Sequence, residues 1–109
     1  MISEKDKEVL VRLKDAAEKL RYSHARVMAC QYPSKQMGDM MIKMGMHLYC
    51  SIYGQLSEEY KQNYSSLGSD LSVLNFMLKS SYDSKEYSID DYVERYLIQV
   101  LDGFEELGI

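Results

Sequence analysis

The segment MGDMMIKMGMHLYCSIY, residues 37–53, decides how the rest of the chain is read. Wound as a helix at about 100° per residue, it carries two apolar stripes. One holds Met37, Met40, Met41, Met44, Leu48 and Ile52. The other, on the opposite side, holds Ile42, Met46, Tyr49 and Tyr53. Asp39, Lys43, His47 and Cys50 leave only a narrow polar strip. A helix that is apolar nearly all round is buried on more than one side. The segment is therefore either the central helix of a bundle, or a helix that gives one face to its own core and the other to a partner. Gly38 and Gly45 stand seven residues apart and share a face. Glycine within a helix costs about 1 kcal/mol relative to alanine, so two on one side predict the close approach of another backbone.

Outward from this segment the helical pattern continues. Upstream, Ser3 is placed to cap a first helix over residues 3–31, with Glu4 and Asp6 at the positive end of its dipole. Its apolar stripe is Val9, Leu13, Ala16, Ala17, Leu20, His24, Val27 and Met28. Tyr32-Pro33 ends that helix, because the residue before a proline is driven from the α region. Ser34 caps the second helix, and Gly54 is placed to stop it. Downstream, Ser57 followed by Glu58 and Glu59 opens a short third helix that ends near residues 64–66. Gly68 is expected to break the chain, with Ser69 or Asp70 capping a fourth helix to about Ser80. That helix, LSVLNFMLK, is apolar almost all round and is expected to be a core helix, with Asn75 needing a partner if buried. After a polar loop over residues 81–87, Ser88 opens the last helix, to about Leu107. Ile89, Val93, Tyr96, Leu97, Val100, Phe104 and Leu107 fall within one arc, with Ile98 alone among the polar residues, and Gly108 ends the helix. No strand alternation and no repeat is found. The expected architecture is an all-α, compact bundle of four to five helices forming a single domain over residues 1–109, with the Met-rich second helix central or at an interface.

Composition narrows the function. The chain has 109 residues, 46% hydrophobic and 28% charged, with a net charge of −4, which is globular and acidic. The charge is uneven: residues 1–50 carry nine Lys/Arg against six Asp/Glu, a net of +3, and residues 51–109 carry four against eleven, a net of −7. Either the halves attract each other within the fold, or an acidic face meets a basic partner. No apolar run approaches the roughly 20 residues of a membrane span, and the charged N-terminus lacks the apolar stretch of a signal peptide. A cytoplasmic protein with reduced Cys30 and Cys50, not associated with membranes, is expected.

Catalytic patterns are missing. There are two histidines, His24 and His47, and no nucleophile elbow, phosphate loop or His-Glu-x-x-His. Asp90 and Asp91 are adjacent and diverge on a helix. Neither an enzyme nor a cofactor is expected. For zinc, His24 and Cys30 lie too far apart around their helix to join His47 and Cys50 in one tetrahedron. Thioether-rich Met41 and Met44 with His47 and Cys50 suit Cu(I), although the same spacing describes a core stripe, and methionine is an adaptable filler of cores and interfaces. Lys5, Arg12, Lys19 and Arg26 recur every seven residues along one edge of the first helix, where they could track a phosphate backbone. Glu8 and Asp15 dilute that edge, and nucleic acid is not the expected partner.

Ten tyrosines without a tryptophan remain, six of them as i,i+4 pairs: Tyr49/Tyr53, Tyr60/Tyr64 and Tyr92/Tyr96. Tyrosine is enriched at interfaces and hot spots. The sequence therefore leads to a small, acidic, non-enzymatic protein-binding module. It would be an inhibitor of another protein, of the immunity or phage anti-defence type, acting by surface occlusion. The expected contact surface is Ile42, Met46, Tyr49, Tyr53 and Tyr92, with a basic protein as partner. A homodimer through the same patch is equally compatible. The alternatives are a Cu(I) or soft-metal binder and a nucleic-acid-associated regulator.

Overall fold

Ser3 opens the first helix as its spacing predicts. Its side chain accepts a hydrogen bond from the Asp6 N–H at 3.1 Å, leading into α1, Glu4–Met28. In the computed structural model, which describes residues 2–30, 34–83 and 90–109, the chain is helical almost throughout. Helix α2 is Lys35–Met46, α3 is Glu58–Asn63, α4 is Ser65–Asp83 and α5 is Asp90–Glu106. The all-α bundle expected from the sequence is present. Ser34 caps α2 by accepting from the Met37 N–H, and Ser57 caps α3 by accepting from the Tyr60 N–H. Pro33, Ser88 and Ile89, which the sequence assigns to helix boundaries and a core stripe, lie outside the described residues.

Four helices close a ring around the core. α1 packs against α2 and α5, and α4 packs against α2 and α5. Paired residues show that neighbours run antiparallel: Gly45 faces Asn75 and Leu78 while Tyr53 faces Gly68, and Arg21 meets Glu94 while Lys14 reaches the main-chain oxygen of Ile109. The result is an up-down-up-down bundle about 45 Å long and 20 Å across. Its core is built from Leu10, Leu13, Ala17 and Leu20 of α1, Met41 of α2, Leu71, Leu74 and Leu78 of α4, and Val93, Leu97, Val100 and Phe104 of α5. Helix α5 ends as read: Gly108 takes φ +76°, its N–H donates to the Glu105 carbonyl, and the Ile109 N–H donates to that of Phe104.

The second helix departs from the uniform α-helix assumed above. After Met46 it widens into a π turn, His47–Ile52, and then tightens into a 3-10 turn, Tyr53–Gln55. The Tyr53 N–H accordingly donates to the Leu48 carbonyl, five residues back. Gly54 does not stop the helix, which runs one residue further to an extended Leu56. The glycine-marked face behaves as expected: Gly38 and Gly45 are buried, and a Cβ on Gly45 would stand 2.7 Å from Leu78 Cδ1 and 3.3 Å from Asn75 Oδ1.

Gly68 does not break the chain, and neither Ser69 nor Asp70 caps the fourth helix. That helix begins at Ser65 and runs through Gly68. The reason is lateral: the Tyr53 ring lies where a Gly68 side chain would stand, its Cζ 2.8 Å from the place of a Cβ. Nor is α4 buried all round, for Phe76 is 70% exposed. Asn75 is half-buried, and its buried Oδ1 meets no hydrogen-bond partner.

One polar fastening was not foreseen. Asp6, expected only to complement the positive end of the helix dipole, is buried and reaches across to the start of α3. Its carboxylate accepts from the Ser57 N–H at 2.9 Å and from the Ser57 hydroxyl at 2.6 Å. The Ser57 hydroxyl bond above all, against the opposing cost of burial, holds the Asp6 carboxyl below the usual carboxylate range.

Two outcomes follow. Replacing Gly68 by Ala will displace the Tyr53 ring and lower the urea midpoint, whereas Gly103→Ala, in α5 with open space around it, will raise stability by about 0.5–1 kcal/mol. Asp6→Ala will cost about 1–2 kcal/mol near neutral pH. Because the folded carboxyl titrates below its unfolded value of about 3.9, this contribution is present above that value and lost as pH falls through the folded one. The gap between variant and wild type will therefore close in acid denaturation curves.

Candidate functional site

The π turn redistributes the residues expected to form the contact surface. Met46 is 49% exposed, whereas Ile42, Tyr49 and Tyr53 are half-buried, and the two tyrosines pack against the core. Their rings stack with centroids 5.8 Å apart. Tyr53 is held between Gly68 and the Lys61 ammonium, which lies 5.6 Å from its ring centre. The side chain of Tyr92 lies outside the described residues. Among the described members of the named surface, Met46 is the one that stands exposed; the tyrosines pack where the π and 3-10 turns meet α3 and α4.

The second tyrosine pair is more deeply placed. Tyr60 is buried and stacks on Tyr64 with centroids 4.8 Å apart. Burial, reinforced by the neighbouring Tyr53, pushes the Tyr60 phenol up to about 12. Its hydroxyl has no hydrogen-bond partner.

A concave surface forms instead on the other side of the Met-rich helix, where it runs beside α1. The floor of this groove is Ala16 of α1 with Met40, Met44 and Ile52 from the second helical segment. Arg12 and Lys19 stand on one wall with Asp15, and Lys43 and His47 on the other. It holds about 530 Å³, and its floor includes Met40 at 48% exposure. The Arg12 guanidinium donates to Gln55 Oε1 at one end, and Lys19 pairs with Asp15 at 2.9 Å. Beyond the Arg12–Gln55 contact a second depression of about 540 Å³ continues beside Lys5, Glu8 and Val11, the last 56% exposed. Together the two make an interrupted furrow along α1 from residue 5 to residue 19, crossed by the Arg12–Gln55 contact.

The sequence contained two pieces of this furrow without joining them. Lys5, Arg12 and Lys19 are three of the four basic residues spaced by seven, and Met40, Met44 and His47 follow one another at helical spacing. Arg26, the fourth of the basic row, instead stacks over Tyr22. The thioether set is divided: Met41 is fully buried in the core, Met44 and His47 line the groove, and Cys50 is exposed. Among the described residues no group of three or more His, Cys, Asp or Glu is placed to hold a metal ion. None of the described helices is long and apolar enough to cross a membrane. In comparisons with family models, curated proteins and solved structures, nothing matches this chain.

Tyr60→Phe tests the buried phenol. Removing an unpaired hydroxyl will leave stability at pH 7 unchanged or raise it by about 1 kcal/mol. The wild-type phenol ionises near 10 when unfolded and near 12 when folded. Wild-type stability will therefore fall between those values, and the variant, followed by circular dichroism, will lose less of it.

Proposed function

We propose that this protein is a small non-enzymatic protein-binding module, of the stand-alone inhibitor kind, which acts by covering a surface of another protein. The observation that carries this is the open furrow between α1 and the Met-rich helix. It has an apolar floor flanked by charged walls, the arrangement in which a buried anchor supplies contact and a polar rim supplies orientation. Methionine suits such a floor because its flexible thioether adjusts to the shape of what it meets. One of the groove's own contacts, Arg12 to Gln55, joins its two walls without a ligand. The surface differs from the Ile42, Met46, Tyr49 and Tyr53 face expected from the sequence, because the tyrosines of that face are half-used inside the fold.

The test is affinity capture from the native host with three folded variants. Met40→Asp will weaken capture of the partner about tenfold or more, the scale of a lost interface anchor. Phe76→Ser, on the far side of α4, will leave capture unchanged. Loss on Met46→Asp with retention on Met40→Asp would place the interface on the opposite stripe.

A further inference from the structure

The furrow's charge and length identify the chemistry of its occupant. Resting on the protein-binding function above, we propose that it receives an acidic amphipathic helix of a partner protein, apolar side inward. Three features select this class. The first is sign. In a chain of net charge −4, the furrow gathers Lys5, Arg12, Lys19 and Lys43 against Glu8 and Asp15, a local excess of two positive charges. An acidic ligand is attracted there, and a basic one is repelled. The second is the floor. Ala16, Met40 and Met44 on one side of the Arg12–Gln55 contact and Val11 on the other offer apolar contact, which a phosphodiester backbone does not need and an amphipathic helix does. The third is reach. From residue 5 to residue 19 of α1 is about 21 Å at 1.5 Å per residue, so a parallel or antiparallel helix of about 14 residues, four turns, spans both depressions over the Arg12–Gln55 contact.

The partner is thus acidic, opposite in sign to the one suggested by the net charge of residues 51–109. Among the described carboxylates of that half, Glu94 meets Arg21 at 2.9 Å, and Asp102, Glu105 and Glu106 are exposed on α5, the helix on the other side of α1 from the furrow. Because the cations are fixed on two facing helices, reversing them converts the selectivity without touching the core.

The probe is a labelled synthetic helix of about 14 residues with leucine on one face and glutamate on the other, followed by fluorescence anisotropy. Its controls are the same peptide with lysine for glutamate, a scrambled glutamate peptide, and a short DNA duplex. The glutamate helix is expected to bind saturably, about tenfold or more tighter than the lysine helix or the scramble, and more weakly as salt rises. Lys5→Glu with Lys43→Glu is expected to reverse the preference toward the lysine helix, and Met40→Asp to weaken both. Equal or tighter binding of the lysine helix by the wild type overturns the acidic partner while leaving the groove as a protein-binding surface. Binding of the scramble or the duplex as tight as the glutamate helix overturns the helical class. No binding of any peptide, with capture of the host partner unaffected by Met40→Asp, overturns both the inference and the groove's role. A peptide of the protein's own α5 binding better than the glutamate helix would overturn the foreign partner in favour of a second copy.

Discussion

Everything in this bundle depends on how closely α4 can lie against the helix of residues 35–55. At Gly45 the missing side chain lets Leu78 and Asn75 reach the backbone, and at Gly68 the reciprocal absence admits the ring of Tyr53. The two glycines sit on opposite partners of the same antiparallel pair. Helix propensity alone disfavours both by about 1 kcal/mol, so their cost is offset by packing that no larger residue permits. Once α4 occupies that side, Met41, Leu48 and Ile52 fall into the core. Met40 and Met44 are left beside α1, and the furrow is the space between them.

The π turn belongs to the same constraint. A uniform α-helix would have put Tyr49 and Tyr53 on the outward stripe with Met46. Leu48 and Ile52 stay inward as a uniform helix would place them, while the widened turn lets the tyrosines fold over the junction with α3 and α4. Single π turns inserted in α-helices recur at functional sites. Here the turn contributes His47 and Ile52 to the furrow and anchors it with the Tyr49–Tyr53 stack. Asp6 then fixes the far end, since one buried carboxylate satisfies both the N–H and the hydroxyl of the Ser57 cap. A carboxylate so bonded ties α1 to α3 more firmly than the exposed Arg21–Glu94 pair ties α1 to α5, because water screens the latter.

The charge imbalance between the halves has a structural meaning that differs from its sequence-level one. Net charge over a stretch of sequence does not say which residues share a face. The cations of α1 gather with Lys43 because α1 and α2 are neighbours, and the acidic residues of α5 spread over another side. Electrostatic steering depends on local potential, and at the furrow that potential is set by its own cations and not by the chain average.

The sequence by itself determined the helical class, three of the helix caps and most of the core. Ser3, Ser34 and Ser57 cap where their spacing says, Gly108 closes α5, Ile98 stands exposed amid polar residues, and the Gly38/Gly45 face meets another helix. These are local properties, fixed by side-chain chemistry within a turn or two of each residue. Tertiary structure alone decided the start of α4, the fate of the tyrosines, the burial of Asp6 and the furrow itself. Each depends on contacts between residues far apart in the chain: Tyr53 with Gly68, Asp6 with Ser57, Arg12 with Gln55. A propensity or a period carries no record of such a meeting, because it is created when the helices pack.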